Sequence, residues 1–484
     1  MVGPGQSSPT PAGAARPGAP VDRDKLYRRI ALRTMPLLVV CYVVSFIDRT
    51  NIGIAQTGLE RDLGFTAAVY GLGVTLFFVG FILFEVPSNA LLTRIGARKT
   101  LVRIMALWGA VTVATSLVTD ESTFYVARFL LGVAEAGFFP GALFYLSLWF
   151  PSARRTRMTA VFFLGVPVSG VIGSLVSGWI MHSLGGVAGL ADWQWLFLIE
   201  GIPPILLAAA VFFFLVDRPA EAVWLSPEEK ATVQADLAED QQRKDEHRAR
   251  AGHGGLAMAI RDPKVWVLGL CACGAYTLAN AVSYWTPRII ADAGVGNVLN
   301  LGFFSAIPPF FGIIAMLLVG RHSDRTLERR WHAALSWLVA VVAMIAVSFF
   351  LDNVPVVIML LTLMAAAHYS GLTVFYSIPS IYLSARAAAT GIAIVTSMGS
   401  FAAAAAPSLL GFIQERTGSL SLGLQISAAI IVLAILLLLV GVKSRELREG
   451  GAAAGPTTAV TTGSRADTPT VPAGTPEGGT TRRP

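Results

Sequence analysis

Charged residues are scarce in this sequence. Of its 484 residues only 14% are Asp, Glu, Lys or Arg, whereas 54% are hydrophobic and the mean hydropathy is +0.63. An ordinary soluble domain carries roughly 25% charged residues. The composition therefore excludes an ordinary soluble domain and indicates an integral membrane protein.

The chain is also poor in cysteine and in nucleotide-binding motifs. Cys41, Cys271 and Cys273 all lie inside apolar runs, which predicts neither a disulfide framework nor a cysteine metal site. No G-x-x-x-x-G-K-[ST] phosphate loop occurs, which argues against an ATP-driven pump. No Ser/His/Asp or metal-ligand spacing emerges either. The sequence predicts no enzyme, no cofactor and no bound metal.

Apolar windows of about 20 residues recur along the chain, long enough for a hydrocarbon core of roughly 30 Å at about 1.5 Å per residue. Their length and continuous apolarity predict helices rather than the short alternating strands of a barrel. The sequence thus predicts an all-α membrane protein with twelve transmembrane helices. These are 31–57, 68–94, 100–119, 124–150, 157–184, 194–216, 265–290, 299–320, 332–351, 354–383, 387–414 and 420–443.

The polar segments divide the chain into five parts. Residues 1–30 and 444–484 are rich in small and polar residues, which predicts disordered tails. Residues 217–264 form a linker between two six-helix halves, 31–216 and 265–443. Within the linker, Ser226 and Glu229 are spaced as a capping box with Pro227 at the first helical position, which predicts a surface helix.

Basic residues cluster before the first helix and in alternate connections, whereas the remaining connections carry few of them. By the positive-inside rule both termini, the linker and these connections are predicted to be cytoplasmic. The net charge of +7 is explained by this topology, because the basic residues flank membrane helices and form no separate module. Nucleic-acid binding is not predicted.

The two halves share a local signature. "RIGARK", from Arg94 to Lys99, follows the second predicted helix, and "GRHSDRTLERR", from Gly320 to Arg330, follows the eighth. Corresponding basic turns in two six-helix units indicate an internal repeat, which is the usual basis of alternating access around a site midway across the membrane.

Several motifs in the right order resemble a known family. Gly320, Asp324 and Arg325 match the G-x-x-x-D-R loop motif of the major facilitator superfamily. More narrowly, "YVVSFIDRTNIGIA", "EVPSNALLTRIGARK", "RFLLGVAEAGFFPG", "GVPVSGVIGSLVSGW" and "GRHSDRTLERRWH" resemble the bacterial anion:cation symporters, which include tartrate, phthalate, galactonate and hexuronate carriers. The resemblance runs from about Arg28 to Lys443. It implies two pseudo-symmetric halves in a multi-pass protein of the plasma (inner) membrane that works as a monomer.

The first copy of the loop motif differs from the superfamily pattern. Thr93 stands where the superfamily usually has Asp, so we expect Arg94, Arg98 and Lys99 to contact other groups. In the second copy, Asp324 is expected to stabilise the outward-open state through neighbouring cytoplasmic groups.

Four ionisable residues stand inside predicted membrane helices, at a cost of at least about 2.5 to 3.5 kcal/mol each, which makes them functional candidates. Asp48 and Arg49 lie on the first helix, and Arg128 and Glu135 share one face of the fourth. Arg49 continues a polar lane with two residues at helical spacing, whereas Asp48 is rotated by about 100° toward a neighbouring helix. The two other members of the lane are Tyr42 and Ser45.

These residues predict roles in the transport of an anion with protons. Arg49 and Arg128 would bind the anion together with Tyr42 and Ser45, while Asp48 and Glu135 would carry the proton. An anion that occupies the arginines weakens their hold on the carboxylates and favours protonation, so binding and protonation support each other. The structural alternative is that the charged residues only form ion pairs between helices, or that Arg128 snorkels to the membrane interface.

The second half offers neutral polar groups instead. Asn280 and Tyr284 lie four residues apart on the seventh helix, and Tyr376 lies on the tenth. They can supply hydrogen bonds and aromatic walls to a substrate, while core packing is the alternative for the tyrosines. In the fifth helix a run of small residues predicts close helix packing. Its members include Gly165, Ser169, Gly173, Ser177 and Gly178.

Three functions remain open at this point. The sequence favours a proton-coupled symporter that imports a small organic anion, such as a sugar acid, a dicarboxylate or an aromatic acid. An anion exchanger would need no proton-carrying acid. A membrane sensor of the same fold would signal through its linker or tails.

Overall fold

The structure, a computed structural model, describes residues 21–251, 255–383 and 388–447, and within these ranges it is helical and contains no strand. The first half comprises α1 (Arg23–Leu63), α2 (Ala67–Ile95), α3 (Ala97–Thr115), α4 (Glu121–Glu135), α5 (Phe138–Trp149), α6 (Ser152–Phe163), α7 (Gly165–Leu184) and α8 (Asp192–Phe214). The linker contains α9 (Pro227–Ala251) and α10 (Gly255–Arg261). The second half comprises α11 (Pro263–Asn280), α12 (Thr286–Asp292), α13 (Val298–Thr326), α14 (Arg330–Val347), α15 (Val354–Tyr382), α16 (Ala388–Thr417) and α17 (Leu420–Gly441).

Eleven segments of the described chain are long and apolar enough to cross a membrane. They are α1, α2, α4 with α5, α6 with α7, α8, α11 with α12, and each of α13 to α17. The remaining predicted span, 100–119, corresponds to α3, whose 19 residues include Arg98, Lys99 and Arg103. These charges lie in its first two turns, and α3 packs within the bundle against α8 and α4. The predicted all-α membrane fold is confirmed.

The two halves repeat the same packing scheme. In the first half α1 packs against α7, α2 against α4 and α3 against α8. In the second half α11 packs against α16, α13 against α15 and α14 against α17. When the spans are numbered within each half, both halves pair the first span with the fifth, the second with the fourth and the third with the sixth. This correspondence confirms the predicted pseudo-symmetry of the two halves.

The halves meet along two helix pairs that the same symmetry relates, α7 with α13 and α2 with α16. Small residues allow the close approach. A Cβ atom on Gly178 of α7 would lie 2.8 Å from the Cα of Gly302 on α13, and one on Gly71 would lie 2.4 Å from the carbonyl oxygen of Pro407. The close packing predicted from the small residues of the fifth span is therefore observed.

Two spans are interrupted near their middle. The fourth breaks after Glu135, where Gly137 adopts a φ of +89° and a Cβ would come within 2.4 Å of the Ser88 hydroxyl. The seventh contains a π-helical turn at Ala281–Trp285, followed by Pro287, which has no N–H to continue the helical ladder. Such interruptions are frequent at functional sites because they expose backbone and re-aim side chains.

We call the end of the bundle where α1 begins and α2 ends the basic end, because Arg98, Arg154 and Arg329 lie there. The first helix begins at Arg23, earlier than the predicted 31. Asp22 caps it by accepting from the backbone N–H of Asp24 and of Lys25, each at 3.1 Å. Part of the predicted N-terminal tail is thus the first two turns of α1, and residues 1–20 lie outside the described residues.

The linker helix α9 is bound to the first half at the basic end. Its predicted capping box is confirmed: Ser226 N–H donates to Glu229 Oε2 at 2.9 Å, and Glu229 N–H donates to Ser226 Oγ at 3.2 Å. Tyr27 Oη donates to Asp236 at 3.1 Å, and Ser152 Oγ donates to Asp240 at 3.0 Å. The linker therefore packs as an ordered part of this half.

The chain after α17 is described only to residue 447, so most of the predicted C-terminal tail lies outside the described residues. Lys264, at the start of α11, donates to Glu446 at 2.6 Å. This hydrogen bond holds the pKa of the Glu446 carboxyl below its ordinary value. The last described turn is thereby tied to the basic end of the second half.

A substitution at Gly132 tests the packing of α2 on α4. A Cβ there would lie 2.0 Å from the carbonyl oxygen of Phe77, so backbone must shift to make room. We expect Gly132→Ala to destabilise the protein by about 1 to 3 kcal/mol, as other overpacked positions do. Thermal unfolding in detergent measures the effect. Gly320→Ala is the matched control, since that helical glycine faces open space. Equal melting temperatures for the two variants would contradict the packing.

Candidate functional site

An ion pair joins α1 to the interrupted end of α4. Arg49 Nε donates to Glu135 Oε1 at 2.7 Å, and Ser45 Oγ donates to the same oxygen at 2.5 Å. The Glu135 side chain is 1% exposed, whereas that of Arg49 is 16% exposed. Ser45 and Arg49, one turn apart on the predicted lane, thus both face Glu135.

The Arg49 guanidinium rests on aromatic rings. Its central carbon lies 5.0 Å from the ring centroids of Phe46 and Phe81 and 5.6 Å from that of Phe77. Ring faces attract a cation at such distances. Among the described residues, Arg49 donates its hydrogen bond through Nε, so its terminal nitrogens remain available to a second acceptor.

Arg128 is buried without a hydrogen-bond partner for two of its nitrogens. It is 1% exposed, and neither Nε nor Nη2 has a partner among the described residues. The ring of Phe77 lies 5.2 Å from its guanidinium carbon. A buried charge without hydrogen bonds costs several kcal/mol, so this position needs an acceptor that the described chain does not supply. Its burial also argues against Arg128 snorkelling to the interface.

The helix face shared by Arg128 and Glu135 does not produce an ion pair between them. The structure directs Glu135 toward Arg49 on α1 instead, and leaves its second oxygen, Oε2, without a partner. Spacing along one helix defines a common face, but the neighbouring helix decides which charge each residue meets.

Asp48 faces away from this pair, as its predicted rotation requires. It is 2% exposed, accepts from Thr112 Oγ1 of α3 at 2.8 Å and lies 3.4 Å from Asn51 Nδ2. Asp48 and Arg49, although adjacent in sequence, therefore serve different environments. Asp48 lies among the helices of the first half, whereas Arg49 lies on the surface of this half that faces the second half.

Tyr42 belongs to an aromatic cluster. Its ring stacks on Phe162 with a centroid distance of 4.0 Å and contacts Phe46 and Phe139. It is 4% exposed. Tyr42 thus packs in this aromatic cluster, about one helical turn before Ser45. Among the described residues it makes no hydrogen bond to Arg49 or Glu135.

The second half contributes neutral groups. Tyr284 lies in the π-helical turn, within electrostatic range of both Arg49 and Arg128. The Tyr376 and Tyr276 hydroxyls lie 2.5 Å apart, and the Tyr376 ring stacks against a phenylalanine of α6. Asn280 donates back to the Tyr276 carbonyl at 2.9 Å, and its Oδ1 has no partner.

Sequence reasoning missed three candidates. Tyr276 precedes Asn280 by one helical turn, so the spacing rule that found Tyr284 also applies to it. The view that acids inside the spans are limited to Asp48 and Glu135 was wrong. Glu200 on α8 is 5% exposed and accepts from Ser177 Oγ at 2.6 Å, and α2 carries the half-buried Glu85. A search of each predicted span for acids would have found both.

The loop-motif residues lie at the basic end. Arg98 N–H donates to Asp217 at 2.8 Å, so the start of α3 is bound to the segment after α8. Asp324 pairs with Arg329 at 3.2 Å, within its own half, and Arg329 also donates to Ser377. The other four members of the motif make no such contact with the described residues: the side chains of Arg94, Lys99 and Arg325 are exposed, and Gly320 faces open space.

Polar contacts join the halves toward the opposite end. Glu60 of α1 pairs with Arg288 of α12. Thr66 donates to Glu415 at 3.1 Å, and Tyr70 Oη donates to the Tyr284 carbonyl at 2.9 Å. Arg49, midway along α1, is nevertheless partly exposed. The space between the halves is therefore closed at the opposite end and open toward the basic end.

Two general features limit the chemistry of this site. In the described ranges no three His, Cys, Asp or Glu side chains are grouped as metal ligands. The charged groups are two arginines and a carboxylate beside aromatic and hydroxyl groups. This set can bind an anion and hold a proton.

A fold of two repeated six-helix halves around a central charged site defines a secondary carrier. The model of the Major Facilitator Superfamily matches residues 38–407, and the chain belongs to this family. The chain is 41% identical to NicT of Pseudomonas putida, a proposed metabolite transport protein, over 86% of this chain and 94% of that one. A proposed tartrate transporter of Agrobacterium vitis is 40% identical over 89% of this chain and 98% of its own.

The crystal structure of a D-xylose-proton symporter has the same fold. It aligns with a TM-score of 0.67 at 14% identity and covers 87% of this chain and 99% of that one. The predicted resemblance to the superfamily is thus confirmed, and the chain is a membrane transporter and not an enzyme.

The ion pair between Glu60 and Arg288 is expected to stabilise the closed opposite end. Because Glu60 is half exposed, the loss of this pair in Arg288→Gln should cost about 1 kcal/mol. This energy corresponds to a factor of about five in the equilibrium between the closed and the open form of the opposite end. A cysteine at Thr286, beneath this contact, should then react about five times faster with a polar thiol reagent. Arg61→Gln is the matched control, since Arg61 pairs with Asp62 and Asp192 of its own half. Unchanged labelling in Arg288→Gln would show that the pair does not hold this end closed.

Proposed function

We propose that this transporter imports a small organic anion together with protons. The observation that carries the proposal is the buried guanidinium of Arg128, which lacks partners beside the Arg49–Glu135 pair. We place the protein in the plasma (inner) membrane, and the positive-inside rule supports an orientation with both termini in the cytoplasm. The open basic end would then face the cytoplasm, and each monomer contains a complete site.

Two arginines suit a carboxylate. A guanidinium can hold a carboxylate through two parallel hydrogen bonds, and it prefers planar, delocalised anions. Arg128 offers Nε and Nη2, and Arg49 offers its terminal nitrogens. Tyr284 and the phenylalanine rings around Arg49 would form the wall for the rest of the molecule. This set fits sugar acids, dicarboxylates and aromatic acids.

Competition for Arg49 would couple the anion to the proton. Glu135 accepts from Arg49 and Ser45 through one oxygen, while its other oxygen has no partner. An anion that draws Arg49 away leaves a buried carboxylate without a cation, which favours its protonation. By linkage, protonation of Glu135 in turn frees Arg49 for the anion. Asp48 would be a further proton-binding group.

Alternating access follows from the repeated architecture. The contacts at the opposite end, including Glu60 with Arg288, would break as the halves rock, and the basic end would close. Asp324, which pairs with Arg329 in the present state, is expected to stabilise the outward-open state through groups that approach on closure.

The relatives support an anionic substrate. One is named for tartrate, a dicarboxylate, and another for metabolite transport. An anion exchanger is the second candidate. It would need no buried acid paired with the arginine, whereas Glu135 is paired with Arg49. A sensor of the same fold would show no flux.

Reconstituted liposomes separate these functions. A thermal-shift screen over organic acids finds the anion, since a ligand stabilises by an amount set by its concentration over its dissociation constant. Uptake driven by a pH gradient supports symport. Flux that requires anion on the opposite side of the membrane and does not respond to the pH gradient indicates an exchanger. Binding of an anion without any flux indicates a sensor.

Replacing Glu135 with Gln tests its role as proton carrier. The amide keeps the shape of the protonated acid but cannot release a proton, so accumulation driven by a pH gradient should fall while counterflow of labelled anion continues. Glu121→Gln, at an exposed site on the same helix, serves as the control. Wild-type accumulation by Glu135→Gln would refute the role.

Arg49→Lys tests the anion contact. Lysine keeps the charge but cannot make two parallel hydrogen bonds. Losing one charge-assisted bond costs about 1.5 to 3 kcal/mol, so affinity should fall by roughly one to two orders of magnitude. Direct binding in detergent measures it, with the exposed Arg33→Lys as the control. If Arg49→Lys binds the anion as tightly as the wild type, Arg49 only neutralises Glu135.

A further inference from the structure

A cavity with many polar lining groups lies between α1, α7, the π-helical turn, α13 and α15. The centre of a water molecule can occupy about 40 Å³ of it, whereas one water needs roughly 10 to 15 Å³ on this measure. Hydroxyl and amide groups line much of it, including Thr50, Asn51, Ser177, Thr286 and Ser305. The cavity is therefore large and polar enough to hold water.

Three buried atoms of this lining lack hydrogen-bond partners. They are Asn51 Oδ1, Thr286 Oγ1 and Ser305 Oγ, on residues that are 2%, 4% and 3% exposed. A buried polar atom without a partner costs about 1 to 3 kcal/mol. Water bridging these atoms removes that cost, since the atoms surround a common space.

Two lining residues connect the cavity to buried carboxyls. Asn51 Nδ2 lies 3.4 Å from Asp48 Oδ1. Ser177 Oγ donates to Glu200 Oε1 at 2.6 Å. Asn51 and Ser177 both line the cavity, so each acid is one side chain away from it.

Among the described residues, no cation forms a hydrogen bond with either acid of this pair. Glu200 on α8 meets the neutral hydroxyl of Ser177 on α7, and the carboxyl of Asp48 lies within electrostatic range of it. Asp48 meets Thr112 of α3 and lies within electrostatic range of Arg128 and Glu135 on α4. No ion pair among the described residues includes Asp48 or Glu200.

One proton completes the network. Two nearby buried carboxylates without a cation between them do not both stay ionised. Glu200 Oε2 has no partner, and neither has Asn51 Oδ1. Protonation turns the Glu200 carboxyl into a donor, which can return the hydrogen bond to Ser177 Oγ.

We propose that Asp48 and Glu200 form a second proton-binding pair, distinct from Glu135, which exchanges its proton with water in this cavity. The proposal rests on the proposed proton-coupled transport. In the exchange, Glu200 Oε1 takes a proton from Ser177 Oγ while Ser177 takes one from a protonated cavity water. Ser177 breaks one O–H bond and forms another, so the net change is one proton moved from water to the carboxyl.

Glu200→Gln tests the pair. The amide retains the shape and the donor of the protonated acid, so the variant should fold and retain counterflow. The amide binds no exchangeable proton. Each coupled proton supports about a tenfold ratio of inside to outside anion concentration per pH unit. Steady-state accumulation should therefore fall by about tenfold per pH unit. Glu121→Gln should accumulate as the wild type does.

Ser177→Ala separates the relay from the stored proton. It leaves both carboxyls in place and removes only the hydroxyl, so the initial rate of proton-driven uptake should fall while the final accumulation is kept. Wild-type accumulation in Glu200→Gln, or equal losses of final accumulation in Glu200→Gln and Ser177→Ala, would overturn the proposal. Accumulation driven by a sodium gradient in place of a pH gradient would also overturn it.

An infrared measurement distinguishes failure of this inference from failure of the proposed function. Difference spectra of the purified protein between acidic and alkaline buffer report protonated carboxyls without any substrate. Glu200→Gln should lose one carboxylic-acid signal that the wild type shows, and Glu121→Gln should retain it. If no anion is accumulated by the wild type, proton-coupled transport fails as the function. An unchanged carboxylic-acid signal in Glu200→Gln overturns the acid pair itself.

Discussion

The cost of burying charge governs the arrangement of this site. An arginine that is 1% exposed cannot be left without hydrogen bonds at low cost, and Arg128 has two nitrogens in that condition. The same constraint explains why Arg49 sits on aromatic rings and why Glu135 takes two donors on one oxygen. A negatively charged ligand would relieve the cost at Arg128 and would compete with Glu135 for Arg49. In the proposed function, the energy of anion binding and the proton affinity of Glu135 then depend on the same unsatisfied groups.

Backbone interruptions make these groups available at the middle of the bundle. Helical hydrogen bonds satisfy the backbone in lipid, so an interruption is tolerated only where protein or water can replace them. Gly137 permits the turn that follows Glu135, and the π-helical turn presents Tyr284 toward the same space. Close glycine contacts such as Gly178 with Gly302 hold the halves together around it. The positions of the side chains thus depend on where small residues let helices approach or break.

Much of the fold and part of the site could be predicted from sequence. The apolar runs, the basic turns and the capping box at Ser226 are local patterns, and helical periodicity sufficed to separate the directions of Asp48 and Arg49. Periodicity could not show that Glu135 pairs with Arg49 and leaves Arg128 alone, because partners across helices depend on tertiary packing. A search for helices that carry both signs of charge does not find Glu200, because α8 contains no lysine or arginine. The bond from Ser177 that holds it comes from another helix, so no spacing within one helix predicts it.

The distribution of charge between the halves bears on how the protein moves. The repeated architecture gives both halves the same helix pairs, yet the buried ion pair of Arg49 with Glu135 lies within the first half, and the second half faces it with Asn280, Tyr284 and Tyr376. Breaking a buried ion pair costs about 3 to 5 kcal/mol, whereas an exposed pair costs about 1 kcal/mol or less. If the central pair bridged the halves, each rocking step would break it. Because it stays inside one half, the halves can move past each other at the cost of exposed contacts such as Glu60 with Arg288. In the proposed function, the strong electrostatic interactions then respond to the anion and the proton, and not to the motion itself.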